Sequence, residues 1–314
     1  GTATYIGWIF AGIPAIFLYN MVAAIMRALG DSKTPLFFLV LSSVLNVILD
    51  LFFILVMKLG VFGASLATVL SQAISGVLCL LFIMVKVPIL HITRSEWRPQ
   101  SKRMTELCTY GVPMGLQYSI TAIGSIMLQS ANNALGTACV AAFTAAMRIK
   151  MFFMCPLESL GIAMATYSGQ NYGAGRLDRV KRSVWVTLAI GVLYTLCTGA
   201  ALLAGQDAIL HLFTADEAVV TYGKLAMRWF CPFYFLLSIL HGLAGAVRGT
   251  GASIPPMVVL LVSLCLFRVV WIQFLLPFFS GIEGVFILYP VSWGLGAVLM
   301  ILYAWKGKWM EYHT

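Results

Sequence analysis

The sequence predicts an all-α, polytopic membrane helix bundle, on three observations. Of 314 residues, 61% are hydrophobic and only 10% charged, against roughly 25% charged in an ordinary soluble domain. The apolar residues fall into runs of roughly 20 to 30, enough at about 1.5 Å per residue to cross about 30 Å of hydrocarbon. The basic residues gather in alternate loops, as they do when a chain threads a membrane repeatedly. Such spans must satisfy their own backbone groups, which helices do.

Nine spans follow in order. The first, 5–29, starts without the basic n-region of a signal peptide and reads as an internal starting point. A turn, Gly30-Asp-Ser-Lys-Thr-Pro35, leads into 35–57, with Ser32 as the expected cap and Pro in the first turn. Lys58 and Gly60 turn the chain into 61–85. The stretch 88–103 mixes Arg, Glu, Trp, Pro and Lys without a long apolar run, and is the expected linker. Span 104–135 carries Gly111 and Pro113, able to bend one end. Span 137–167 ends in Gly169–Gly175, read as a C-cap and turn rather than a phosphate loop, because no GK[ST] element or preceding strand accompanies it. Spans 184–203, 221–247, 255–279 and 285–305 complete the set, the third opening with Ser253 and Pro256.

Loops after the odd-numbered spans hold fourteen of the twenty Lys and Arg residues, Arg27, Lys86, Arg176 and Arg248 among them. The positive-inside rule makes those loops cytoplasmic, so the net charge of +9 marks sidedness. No basic helix or aromatic-basic strip points to nucleic acid. The seven cysteines lie within spans at irregular spacing and read as small core residues, not disulfides or metal ligands. His211 and His241 stand apart from Cys and acids at ligand spacing, so no metal is assigned.

The chain repeats itself. Arg27, Gly30, Ser32, Pro35, Gly60 and Gly63 recur as Arg248, Gly251, Ser253, Pro256, Gly281 and Gly284, all at an offset of 221 residues. Both copies face the same side, which predicts two lobes in parallel repeat. A repeat of that length implies a parent of about 440 residues with roughly three further helices upstream, six plus six in all. The expected divisions are 1–87, the second half of the first lobe; 88–103, the linker; and 104–314, the complete second lobe.

Several polar residues sit where hydrocarbon is expected. Asn46 and Asp50, four apart, share a helix face, and Asp50 lies about 12 Å inward of Lys58. Thr68 reaches nearly the same depth on the following antiparallel helix. An amide oxygen, a carboxylate and a hydroxyl at one level suit a proton or Na⁺; the alternative is an interhelical hydrogen-bond cluster. Glu158 and Arg268 lie at similar depth, about 13 and 20 Å in, which predicts their contact or a shared water-filled cavity. Gln117, Thr121 and Gly124 form one face of their span, either a polar cavity wall or a packing face. Arg148 and Lys150 either line a cleft or snorkel, with snorkelling expected for Lys150.

The order and spacing of Arg27-Ala-Leu-Gly-Asp-Ser-Lys-Thr-Pro35, Leu45-Asn-Val-Ile-Leu-Asp50, Gly60-Val-Phe-Gly63, Gly111-Val-Pro-Met-Gly-Leu-Gln117, Gly169-Gln-Asn-Tyr-Gly-Ala-Gly175, Arg248-Gly-Thr-Gly251 and Gly307-Lys-Trp309 resemble the multidrug and toxic compound extrusion (MATE) family along essentially the whole chain, as helices four to twelve without the first three. The resemblance implies a twelve-helix, two-lobed exporter and a first-lobe cation site using Asn46, Asp50 and Thr68, whose further Asp would lie on the absent first helix. In the second repeat Phe267 and Trp271 replace Asn46 and Asp50, so coupling is expected in the first lobe alone.

The expected function is secondary antiport: export of drugs, toxic organic compounds or metabolites in exchange for H⁺ or Na⁺, by a monomer in the cell membrane whose partners are a small-molecule substrate and membrane lipid, with no cofactor beyond the coupling ion. Gln117, Thr121, Glu158 and Arg268 are the expected substrate-cavity residues. The alternative is flipping of a lipid-linked saccharide, as related two-lobed exporters do, but such proteins need a large basic cavity and only Arg268 and Arg148 offer themselves. Catalytic residues are not expected, since neither Gly-x-Ser-x-Gly nor a paired acid motif occurs.

Overall fold

The computed structural model describes residues 2–91, 98–133, 136–279 and 282–311. Gly281, one member of the repeat, and residues 92–97 of the expected linker lie outside them. The described residues contain helices and no strand, and the chain divides into two compact units, 1–99 and 100–314.

The first unit holds α1 (Thr2–Ala11), α2 (Ile13–Ala28), α3 (Lys33–Leu51) and α4 (Gly60–Lys86). Between α1 and α2 the axis bends by 47°. Gly12 sits at the break with Pro14 just beyond it, and Pro has no N–H to continue the ladder. Along α4, Ala67, Ser71, Ser75, Cys79 and Ile83 recur every four residues and are buried. These mostly small side chains admit α2 closely: a Cβ at Gly76 would stand 3.3 Å from the Tyr19 nitrogen. The Tyr19 hydroxyl donates to the Pro35 carbonyl at 2.9 Å, tying α2 to α3.

The turn before α3 corrects one expectation. Ser32 and Ser253 occupy the N-cap positions, but neither side chain makes a capping bond. Asp31 does the work before α3, accepting from the Lys33 and Thr34 amides at 3.0 and 3.1 Å and from the Thr34 hydroxyl at 2.6 Å. These donors hold its carboxyl below the usual range, with the Thr34 hydroxyl foremost. A carboxylate accepts two amides at once, which one serine hydroxyl does less well. The repeat survives in the backbone: Gly30 and Gly251 have φ of 91° and 94°, a region open to glycine.

The second unit holds α5 (Ser101–Asn133), α6 (Thr137–Gly173), α7 (Leu177–Ala204), α8 (Gln206–His211), α9 (Glu217–Phe230), α10 (Tyr234–Gly249), α11 (Ile254–Leu261), α12 (Phe267–Val270) and α13 (Glu283–Lys306). Its center is an aromatic cluster, Phe143, Phe230, Phe286, Tyr289 and Trp293, with Tyr234 at its edge. Helices α6 and α10 touch backbone to backbone: a Cβ on Gly245 would collide with the Gly161 carbonyl and one on Gly249 with that of Ala165. Small residues four apart on both helices allow this approach. At its end α6 closes with Gly175 at φ 70° and the Arg176 amide donating to Asn171, the turn expected there.

Among the described residues seven helices are long and apolar enough to cross a membrane, and an eighth if α1 and α2 count as one. Helix α5 is long enough but not among them, because Gln117, Thr121, Ser125 and Gln129 dilute its apolar run. The cysteines also differ from expectation: all are free, but Cys108, Cys155 and Cys197 face outward while the other four are buried.

His211 is not isolated. Its Nδ1 lies 2.8 Å from the Asp207 carbonyl oxygen and its Nε2 3.4 Å from the Glu217 carboxylate, while Asp207 pairs with Lys224 at 2.7 Å. No three candidate metal ligands converge among the described residues. The Asp207 carbonyl and then Glu217 raise the His211 pKa above its ordinary value. A raised pKa means that protonation favours the folded state, a contribution present below about pH 6.5 and lost as pH climbs through the raised value. The His211 contribution to thermal stability is therefore expected to fade from mildly acidic to mildly alkaline pH. His211→Gln should flatten that part of the profile, and an unchanged profile would contradict the assignment.

Candidate functional site

Two clusters carry the chemistry, one in each unit. In the first unit Asn46 and Thr68 meet, Nδ2 donating to Oγ1 at 3.5 Å, and the Thr68 hydroxyl donates onward to the Ala64 carbonyl at 3.0 Å. Asp50 stands one turn beyond Asn46 on the same face of α3. Its Oδ1 is buried and has no hydrogen-bond partner. Immediately after it the helix loosens into a π turn, Phe52–Val56, a distortion that gathers at functional positions. In the second repeat Trp271 fills the equivalent place. It is buried and its indole donates to the Gly284 carbonyl at 3.0 Å, so packing replaces the acid.

In the second unit a cavity of ≈ 890 Å³ opens between α5, α6, α10, the α11–α12 segment and α13, a size that suits a small organic molecule. Gln117, Thr121, Glu158 and Arg268 all line it. Gly124 does not; it packs against the Leu264 carbonyl.

Arg268 rides the four-residue α12 between two π turns, Val262–Leu266 and Trp271–Leu275. Its guanidinium donates to the Ser292 hydroxyl at 3.3 and 3.2 Å and lies 4.6 Å from the Tyr289 ring center. Glu158 shares the cavity with Arg268 but forms no ion pair with it among the described residues.

Lys150, for which snorkelling was the favoured of two alternatives, and Arg248 also line the cavity. Lys150 does not snorkel away; its ammonium lies 5.6 Å from the Tyr289 ring center and 5.3 Å from that of Trp293. The aromatic faces attract it inward. Arg248, read from sequence as a loop residue, turns into the cavity and donates to Gln117 Oε1 at 2.7 Å. A signal existed for Lys150: it precedes Met154 and Glu158 by four and eight residues, which places all three on one face of α6. Nothing comparable marked Arg248. Arg148 is exposed and outside the cavity lining.

The MatE family profile matches residues 1–52 and 111–272. A probable multidrug resistance protein of Bacillus subtilis, YpnP, is 29% identical over 98% of this chain and 68% of its own length. The probable multidrug resistance protein NorM of Thermotoga maritima is 23% identical over 97% of the chain and 67% of its own. A mutant of the Vibrio cholerae MATE transporter VcmN shares the fold, with TM-score 0.89 and 20% identity over 96% of this chain and 68% of that one. With the profile covering well over half of its residues, this multi-pass membrane chain belongs to the MatE family of multidrug efflux transporters, which move solutes and are not enzymes.

Proposed function

We propose that the chain serves a secondary antiporter that exports drugs, toxic organic compounds or metabolites in exchange for H⁺ or Na⁺. Residues 1–87 supply the second half of one lobe, 88–103 the linker and 104–314 the other lobe, with the basic loops in the cytoplasm and the protein acting as a monomer. Coupling belongs to Asn46, Asp50 and Thr68, and solute binding to the cavity lined by Gln117, Thr121, Glu158 and Arg268. The observation that carries this reading is the buried, unpartnered Oδ1 of Asp50 beside the Asn46–Thr68 pair. A carboxylate oxygen without a donor in such a place is costly, and a proton or Na⁺ relieves it. The cation then couples to transport only if it favours one conformation over the other. The names borne by the Bacillus and Thermotoga relatives support the solute class.

Efflux from proteoliposomes containing the complete protein, driven separately by a proton gradient and by a Na⁺ gradient, tests this. One gradient should accelerate efflux. Equal efflux with and without both would overturn the proposal.

A further inference from the structure

The cavity of the second unit carries more positive charge than negative. Lys150, Arg248 and Arg268 line it against a single carboxylate, Glu158. None of the three cations is ion-paired among the described residues; their nearest partners are neutral groups, and Glu158 attracts Lys150 only from farther off. Arg248 donates to an amide oxygen, and its Nε is buried without a partner. Arg268, 6% exposed, has the Ser292 hydroxyl and the Tyr289 ring. Lys150 shares that same ring and has Trp293 besides. Ring faces and hydroxyls offset only part of what burying a cation costs, and one carboxylate neutralises one charge of three. Lys150 and Arg268, converging on one ring, also repel each other unless an anion sits beside them.

We infer that this cavity takes an organic anion: a carboxylate, sulfonate or phosphate on an apolar aromatic body, its charged group received by Lys150 and Arg268. The inference deepens the export reading, on which its meaning for transport rests. The anion supplies the missing counter-charge, and the guanidinium and ammonium donate to its oxygens in charge-assisted hydrogen bonds. Tyr118 and Ile162 in the lining, both exposed, offer apolar surface to the body of the solute. Glu158 repels such a ligand and so sets where it does not sit.

Two dyes of one ring system and opposite charge test this: fluorescein in mildly alkaline buffer, and a cationic rhodamine methyl ester. Binding to the complete protein in phosphatidylcholine nanodiscs is read by fluorescence anisotropy. Fluorescein should bind at least about tenfold tighter than the rhodamine ester. Lys150→Gln and Arg268→Gln should each weaken fluorescein by about tenfold, and Glu158→Gln should tighten it. Should Arg268→Gln fail to fold, Lys150→Gln and Glu158→Gln still decide, because their opposite signs are not produced by misfolding. Tighter rhodamine binding, equal binding, or indifference of fluorescein to Lys150→Gln overturns the inference. Repeating the assay with phosphatidylglycerol in the nanodisc separates sources: displaced fluorescein assigns the anion to a lipid headgroup, retained fluorescein to a soluble solute, and both keep its charge. Anion binding without ion-driven efflux would sink the antiport proposal alone, whereas ion-driven efflux with rhodamine preferred would sink this one alone.

Discussion

Asp50→Asn in the complete protein is expected to reduce ion-gradient-driven efflux at least about tenfold, the factor that corresponds to about 1.4 kcal/mol of coupling. The substitution keeps the side-chain volume and removes the group that takes up a proton or Na⁺. Folding should not suffer, since Asp50 is half-buried and its Oδ1 has no hydrogen-bond partner to lose. The melting temperature is therefore expected to hold or rise while transport collapses. That combination separates a coupling residue from a packing one. Asn46→Ala and Thr68→Ala, which remove the neighbouring oxygens, should raise the ion concentration needed for half-maximal efflux without abolishing it. Wild-type efflux by Asp50→Asn would end the assignment.

Gly245→Leu is expected to lower stability more than any other substitution considered. The obstacle is the Gly161 carbonyl, which already stands where a Cβ would go, so no rotamer of the new side chain escapes it. Overpacking of this kind costs about 1–3 kcal/mol, a large part of a total stability of about 5–15 kcal/mol. Gly242 on the same helix is the control. A Cβ there meets the Leu188 and Thr187 side chains at 3.5 Å, ordinary contact, and Gly242→Ala should melt close to wild type. Similar melting of Gly242→Ala and Gly245→Ala would show that α6 and α10 are not packed this closely.

The parts of this molecule legible in sequence are those governed by local chemistry. Apolar runs located the spans other than α5, whose polar residues dilute its run. Glycine at fixed positions located turns that need positive φ, as at Gly30 and Gly251. Four-residue spacing put Asn46 and Asp50 on one face, and depth counting put Glu158 and Arg268 in one cavity. What escaped depended on neighbours far along the chain. Asp31 outcompetes Ser32 as a cap because its two oxygens reach three donors. Lys150 turns inward because Tyr289 and Trp293, well over a hundred residues later, present their faces to it. Arg248 turns inward toward Gln117, whose amide oxygen no local pattern could have announced. The π turns flanking Arg268 have no sequence period of their own, yet the side chain they frame is buried against Ser292 and Tyr289.

The Gly161–Gly245 crossing has one more consequence. Two helices that lie peptide against peptide have no flexible side chains between them to act as a cushion, so one cannot glide along the other without ridges riding over ridges. They behave as a single spar. The wall of the solute chamber that they form is rigid, and widening or narrowing must come from the opposite side, where two π turns loosen the backbone of the α11–α12 segment around Arg268.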